Sequence, residues 1–358
     1  MVQTHGSSQT GAQAVSAELA LGDRAASGSL TEIPILDLGD FLAGKPGAHD
    51  ATAAQLRWAL ENIGFFYVRG HGIAESMIER IFAETRRFHG QPDDEKMKIH
   101  LNSSNRGYMP LRGHAQRHSA LNKNPKPNEN ESFFAKREQD PNDPAVKAGK
   151  PFRGPNQWPD DLPGFRETVL DYHGTMSELA YRMLPLYARS LGLADDHFKP
   201  AFGKGGEITV RMIHYPQATE EHVRENVFGT AAHTDRNLFT ILAPGDTPGL
   251  QIMMPGGQWL EAPLVPGTFV VNAGDTLRRW TNDRYLSTPH RVLNVSGRDR
   301  YSVAFFVATD FEAMIECLPT CQSAERPALY PPVLYETMFT EFVSANYANQ
   351  QAGHAKIA

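Results

Sequence analysis

His233-Thr234-Asp235, with His290 a further 55 residues on (290 − 235) and then Arg300-Tyr301-Ser302, is the set on which the reading of this chain turns. Two imidazoles and one carboxylate form the ligand set of the facial triad that holds non-haem Fe(II) and leaves coordination positions open. The His-x-Asp arm suits a strand or its end, where alternation puts both side chains on one face, within reach of one ion. A third ligand from so far along the chain closes the site only if its segment lies beside the first in a sheet. Arg300, ten residues past His290 (300 − 290), adds a fixed cation suited to a dicarboxylate co-substrate. Ser302 shares its strand face by period-two spacing, so guanidinium and hydroxyl can bind one carboxylate together. Arg300 also opens the apolar run Tyr301 to Val307, where an inward-facing charge needs an anionic partner.

Outward from this cluster, short strands alternate with Gly and Pro turns. Segments 208–215, 239–242, 250–253, 269–272 and 301–307 predict an antiparallel barrel or jelly roll. Upstream, 32–38 and 64–68 read as strands, while 51–63, 74–88 and 162–191 carry helical periodicity, the last with a bend expected near Pro185. Charged residues 93–98 mark a solvated segment, Gly274-Asp275 a turn, and polar 102–154 either a lid or a poorly ordered loop. Segment 331–348 reads as a closing helix and 350–358 as a frayed end. Helices followed by a barrel, without alternating βα units, give an α+β class. The expected organisation is a mobile tail over 1–30, with a transient helix in Ala12–Ala26, and a mainly helical region over 31–205. A jelly-roll core over 206–310 and a C-terminal segment over 311–358 follow, with 31–348 as one structural unit.

The 358 residues, 41% hydrophobic and 21% charged, have ordinary globular composition. A net charge of −6 provides no electrostatic footprint for nucleic acid, and no apolar run approaches the ~20 residues that span a bilayer. The first thirty residues lack the basic start and apolar stretch of a secretory signal. Only Cys317 and Cys321 are present, which argues against a disulfide framework and for a reduced cytoplasm. They read as two ordinary thiols near a proline turn. Of the 14 histidines, His71, His89, His114, His118 and His173 receive no role. Two imidazoles and a carboxylate could also bind zinc in a hydrolase, but no carboxylate base motif such as His-Glu-x-x-His accompanies them.

Beyond the triad, Ile-Pro-Ile-Leu-Asp-Leu (33–38), Gly-Phe-Phe-Tyr-Val-Arg-Gly-His-Gly-Ile (64–73), Gly-Leu-Gln-Ile (249–252), Asn-Ala-Gly-Asp (272–275) and Ser-Thr-Pro-His-Arg-Val (287–292) stand out as motifs. With His-Thr-Asp and Arg-Tyr-Ser, the chain from Ile33 to about Tyr347 resembles the 2-oxoglutarate- and Fe(II)-dependent dioxygenases of the isopenicillin N synthase-like class. The resemblance implies a double-stranded β-helix (jelly-roll, cupin-like) core with flanking N-terminal helices and a C-terminal helix. It implies iron on His233, Asp235 and His290, and the distal carboxylate of 2-oxoglutarate on Arg300 and Ser302, assisted by Tyr215. Plant members often carry Asn two residues before that tyrosine; this chain has Ile213, and Arg211 is the candidate substitute.

The chemistry implied is oxidation of an unactivated C–H bond of a small molecule by O₂, with succinate and CO₂ released and ascorbate as reductant in vitro. Hydroxylation is the default outcome; desaturation, cyclisation or demethylation would follow from how the substrate is held. A 2-oxoglutarate-independent iron oxidase or cyclase, a zinc hydrolase and a non-catalytic small-molecule binder are the rivals. Neither a nucleic-acid nor a membrane partner is expected. Arg112, Phe133 and Phe306 are the candidate substrate-wall residues.

Overall fold

The computed structural model describes residues 32–117, 119, 121–122 and 126–354, with backbone alone from 347 onward. The tail expected over 1–30 and His118 lie outside the described residues. Among the described residues, twelve strands build two facing sheets. In chain order they are β1 (Ile35–Asp37), β2 (Phe65–Arg69), β3 (Gly107–Met109), β4 (Glu131–Lys136), β5 (Thr209–Tyr215), β6 (Thr230–His233), β7 (Phe239–Ala243), β8 (Leu250–Met253), β9 (Trp259–Glu261), β10 (Phe269–Ala273), β11 (His290–Val292) and β12 (Arg300–Val307). The larger sheet runs β1-β2-β10-β7-β12-β5-β4-β3 and the smaller β6-β11-β8-β9. Apart from the parallel β1–β2 pair, all these neighbours are antiparallel. The two sheets form the double-stranded β-helix of an α+β protein.

Period-two alternation separates two cores. One face of β5 and β12 sends Val210, Met212, Val303, Phe305 and Val307 outward, into a cluster with Tyr172, Met176, Leu179 and Met183 of the helix Phe165–Ser190. That helix runs on through Pro185. The opposite face sends Ile213, Tyr215 and Ala304 inward, between the sheets, against Leu250, Ile252 and Val292 of the smaller sheet. The helices Ala48–Asn62 and Glu75–His89 pack on the outer layer through Leu56, Leu60, Ile81 and Phe88. No described helix is long and apolar enough to cross a membrane.

Several segments differ from the sequence expectation. The stretch 102–154 contributes β3 and the buried β4, which pairs with β5 at Glu131↔His214 and Phe134↔Arg211. Its charged ends disguise it. Glu131 is buried against Lys96 Nζ (2.7 Å) and His214 Nδ1 (2.7 Å), and Lys136 Nζ lies 3.2 Å from Glu207. The segment at 93–98 is solvated as expected except at Lys96, which the short helix Asp93–Met97 buries. Gly274-Asp275 opens the helix Asp275–Trp280 rather than a simple turn. The closing helix begins later and runs further than expected, Tyr335–His354, so 350–354 is helical. Both cysteines are free thiols around the short helical turn Pro319–Cys321.

Two outcomes test this packing. Phe133 is fully buried among Phe88, Trp158 and Phe165, so Phe133→Ala should destabilise by about 3–5 kcal/mol in denaturant titration. His173 lies under Phe305 and contacts the Ile208 carbonyl; burial holds its pKa down, at about 4. An unfolded imidazole takes up its proton near 6.5, so the unfolded state binds more protons between about 6.5 and 4. His173 should therefore lower stability as pH falls through that window, and His173→Leu should show a shallower acid loss by the same titration.

Candidate active site

The metal-ligand candidates meet because β6 ends where β11 begins. His233 is the last residue of β6, His290 the first of β11, and the ladder sets them directly opposite one another. Their rings stand 4.3 Å apart. Asp235 lies past the end of β6, in the connection to β7, rather than on one strand face with His233. Its Oδ1 is 3.6 Å from His233 Nε2 and 3.8 Å from His290 Nε2. One ligand atom from each of the three falls within 4.8 Å of the others. Donors about 2.1 Å from one ion and at right angles sit about 3 Å apart, so the set needs little movement to close on a cation.

Hydrogen bonds prepare the donor atoms. His233 Nδ1 contacts the Ala231 carbonyl at 2.9 Å and His290 Nδ1 the Thr288 carbonyl at 3.2 Å. Those contacts put the ring proton on Nδ1 and leave each Nε2 lone pair for a metal. Thr240 Oγ1 (2.5 Å) and Asn272 Nδ2 (2.8 Å) both donate to Asp235 Oδ2, leaving Oδ1 toward the imidazoles. The Asp275 amide donates to the Asp235 carbonyl at 2.7 Å, so the helix Asp275–Trp280 steadies the same loop. Burial would raise the Asp235 pKa; the two imidazoles and the Asn272 and Thr240 bonds outweigh it and hold the carboxyl below its ordinary value. For His233, burial and then His290 depress the pKa. Asp235 thus presents a carboxylate and His233 a neutral imidazole, as a metal requires.

Beside the triad, β12 and β5 pair Arg300 with Tyr215 and Ser302 with Ile213. Arg300 is 1% exposed. Its Nε donates to the Thr247 carbonyl (3.2 Å), its Nη1 to Ser302 Oγ (3.3 Å), and its guanidinium lies 4.9 Å from the Tyr215 ring centre. No carboxylate among the described residues pairs with it, and burial draws its pKa down, partly offset by Tyr215. Gly249, at φ +130°, packs under the Leu293 carbonyl: a Cβ there would stand 2.6 Å from that oxygen, while Arg300 Cδ, at 3.6 Å, would be in ordinary contact. One cavity is lined by His233, Asp235, His290, Arg300, Ser302 and Tyr215 together.

The remaining expected residues divide. Arg211 and Phe306 line both this cavity and a second one that opens past His233 and Asp235. Phe133 does not reach either; it points to the helical side of the sheet, and Phe134, one residue on, lines the second cavity. Arg112 also stays away. It sits at φ +61°, with its side chain 58% exposed and paired to Glu129 at 2.6 Å. Thr240 and Asn272 were missed as site residues, although Asn272 stands in the Asn-Ala-Gly-Asp motif that could have signalled it.

A jelly roll holding a His-Asp-His set and a buried arginine between its sheets defines a non-haem iron oxygenase. Residues 33–161 match the family described as non-haem dioxygenase in morphine synthesis N-terminal, and residues 207–309 the 2OG-Fe(II) oxygenase superfamily. The chain is 36% identical over 334 residues to the 2-oxoglutarate-Fe(II) type oxidoreductase hxnY of Emericella nidulans, covering 92% of this chain and 94% of that one. It is 32% identical over 331 residues to homoarginine-6-hydroxylase 2-ODD-C23 of Glycine max, covering 87% and 98%. Among solved structures, a full-length Neurospora crassa protein in complex with alpha-KG and thymine superposes with a TM-score of 0.76. The identity there is 27%, with coverage of 87% of this chain and 96% of that one. The chain belongs to the 2OG-Fe(II) oxygenase superfamily and is a 2-oxoglutarate-dependent non-haem iron dioxygenase. Its cofactor and co-substrates are Fe(II), 2-oxoglutarate and O₂.

Because Thr240 and Asn272 hold Asp235 in place, Asn272→Ala should weaken Fe(II) binding by about 10–100-fold. Anaerobic Fe(II) titration would measure it, and an unchanged affinity would remove Asn272 from this role.

Proposed function

We propose that the protein oxidises a C–H bond of a small molecule, most simply to an alcohol, while 2-oxoglutarate is converted to succinate and CO₂. One oxygen atom of O₂ enters the product alcohol and the other the new succinate carboxylate, so the atoms balance. His233, Asp235 and His290 would hold Fe(II), which supplies the O₂-activating chemistry when bound. Arg300, Ser302 and Tyr215 would hold the distal carboxylate of 2-oxoglutarate, the guanidinium donating to it as a fork and the two hydroxyls adding bonds. The observation that carries this reading is the Arg300 guanidinium, buried between the sheets beside the triad with no described carboxylate to neutralise it. A charge so placed is stabilised once an anion shares its cavity. The surrounding Phe65, Leu242, Leu250 and Val292 exclude water from that contact and strengthen it.

The rivals make different demands. A zinc hydrolase would need a base beside the bound water, and Asp235 has one carboxylate oxygen already occupied by Thr240 and Asn272. Oxidation without 2-oxoglutarate would leave Arg300 to an anionic part of the substrate. Succinate release with Fe(II), ascorbate and 2-oxoglutarate, screened against amino acids, small aromatics and plant-type metabolites, separates these readings. Succinate should form only with O₂ and should rise with the right substrate, and His233→Ala should abolish it. Arg300→Met should raise the 2-oxoglutarate KM by at least about tenfold; an unchanged KM would overturn the role given to Arg300.

A further inference from the structure

The cavity past the iron ligands contains a second buried cation that the reaction scheme leaves unused. Arg211 is 8% exposed. Its Nε donates to Ser132 Oγ (2.9 Å) and its Nη2 to Asn130 Oδ1 (3.0 Å), both neutral acceptors, and its guanidinium lies 5.0 Å from the Phe134 ring centre. Asn130 is itself fixed, its Nδ2 donating to the Gly229 carbonyl (2.6 Å) and Thr230 Oγ1 (3.1 Å). Nη1 of Arg211 makes no hydrogen bond to any described residue. Every other charge lining that cavity is committed: Glu207 to Lys136 (3.2 Å) and Arg153 (3.2 Å), Arg236 to Asp275 (2.8 Å), and His233 with Asp235 to the triad.

The charges of the loaded site cancel without Arg211. A divalent ion, the Asp235 carboxylate, a doubly charged co-substrate and the Arg300 guanidinium sum to zero, which leaves Arg211 alone. A buried cation in that position is offset by one further negative charge. Position along the strand also separates the two arginines. Arg300 pairs with Tyr215, whereas Arg211, four residues back on β5 (215 − 211), pairs with Ala304 and Phe134. At about 3.4 Å per residue, that sets the backbone origins of the two side chains roughly 14 Å apart along the sheet.

The walls specify the rest of the ligand. Phe134, Phe306, Phe339 and Phe342 line the cavity, whose volume is about 100 Å³. An apolar cavity of about 150 Å³ holds benzene, so this smaller, open one admits no more than a single ring, and any larger substituent stays outside it.

We infer that the substrate is a small single-ring carboxylate, its carboxylate held by Arg211, its ring against the phenylalanines and the remainder turned toward His233 and Asp235. This inference rests on the dioxygenase reading and names its substrate class. It moves Arg211 from the co-substrate, where the sequence motif had suggested it, to the substrate.

The test is calorimetric titration of the Fe(II)-loaded, 2-oxoglutarate-saturated protein without O₂, using benzoate and phenylacetate beside benzamide and phenylacetamide. At least one acid should bind about tenfold or more tightly than its amide. Arg211→Met should erase that preference, and Arg211→Lys, which keeps the charge but loses the fork, should weaken the acid at least about fivefold. The 2-oxoglutarate Kd, measured on each variant as a check that it is folded, should stay within about threefold. Acids that bind no better than amides, or a preference that survives in Arg211→Met, would overturn the inference. So would loss of 2-oxoglutarate binding in Arg211→Met with the acid preference intact, which would return Arg211 to the co-substrate. Acid preference in a wild type that takes up no 2-oxoglutarate would leave Arg211 as a carboxylate site and overturn the co-substrate role given to Arg300 instead.

Discussion

The β6–β11 ladder, with His290 directly opposite His233, is the constraint from which the site follows. Side chains opposite one another on neighbouring antiparallel strands have Cβ atoms about 5 Å apart, close enough for two imidazoles to share one ion. A slip by one residue would send one ring to the other face of the sheet and dissolve the pair. Asp235 can then close the set from a loop, because that loop is itself restrained: Thr240, Asn272 and the Asp275 amide each hold part of it.

Burial of charge is the second organising theme, and the protein handles it in two ways. On the outer side of the larger sheet, ionised groups are paired: Lys96 with Glu131, and His214 between Glu131 and Asp299. Burial tends to lower the His214 pKa, yet those two acidic partners leave it raised. Between the sheets, Arg300 and Arg211 are left facing neutral acceptors and aromatic rings. Pairing is the structural solution, and withholding it marks a surface shaped for an anion that arrives from solution.

Phe133 and Phe134 show where reading from sequence stops. Both lie in a strand whose charged ends and polar flanks mask it, and only pairing with β5 decides which of the two faces the helices and which faces the cavity. Arg112 was plausible by proximity in sequence, but its left-handed turn and its bond to Glu129 leave it at the surface. Asn272 was visible as part of a motif without its task being visible, since the bond it makes spans 37 residues.

The sequence by itself determined the chemistry: the donor types, their spacing, the alternating strands and an arginine at the head of an apolar run were all legible, because they depend on residue identity and local periodicity. Tertiary structure alone decided which side chains share a cavity, that Asp235 serves from a loop, and that Arg211 reaches a second cavity that Arg300 does not line. Those outcomes depend on cross-strand register and on the availability of counter-charges, and both arise only when distant segments pack together.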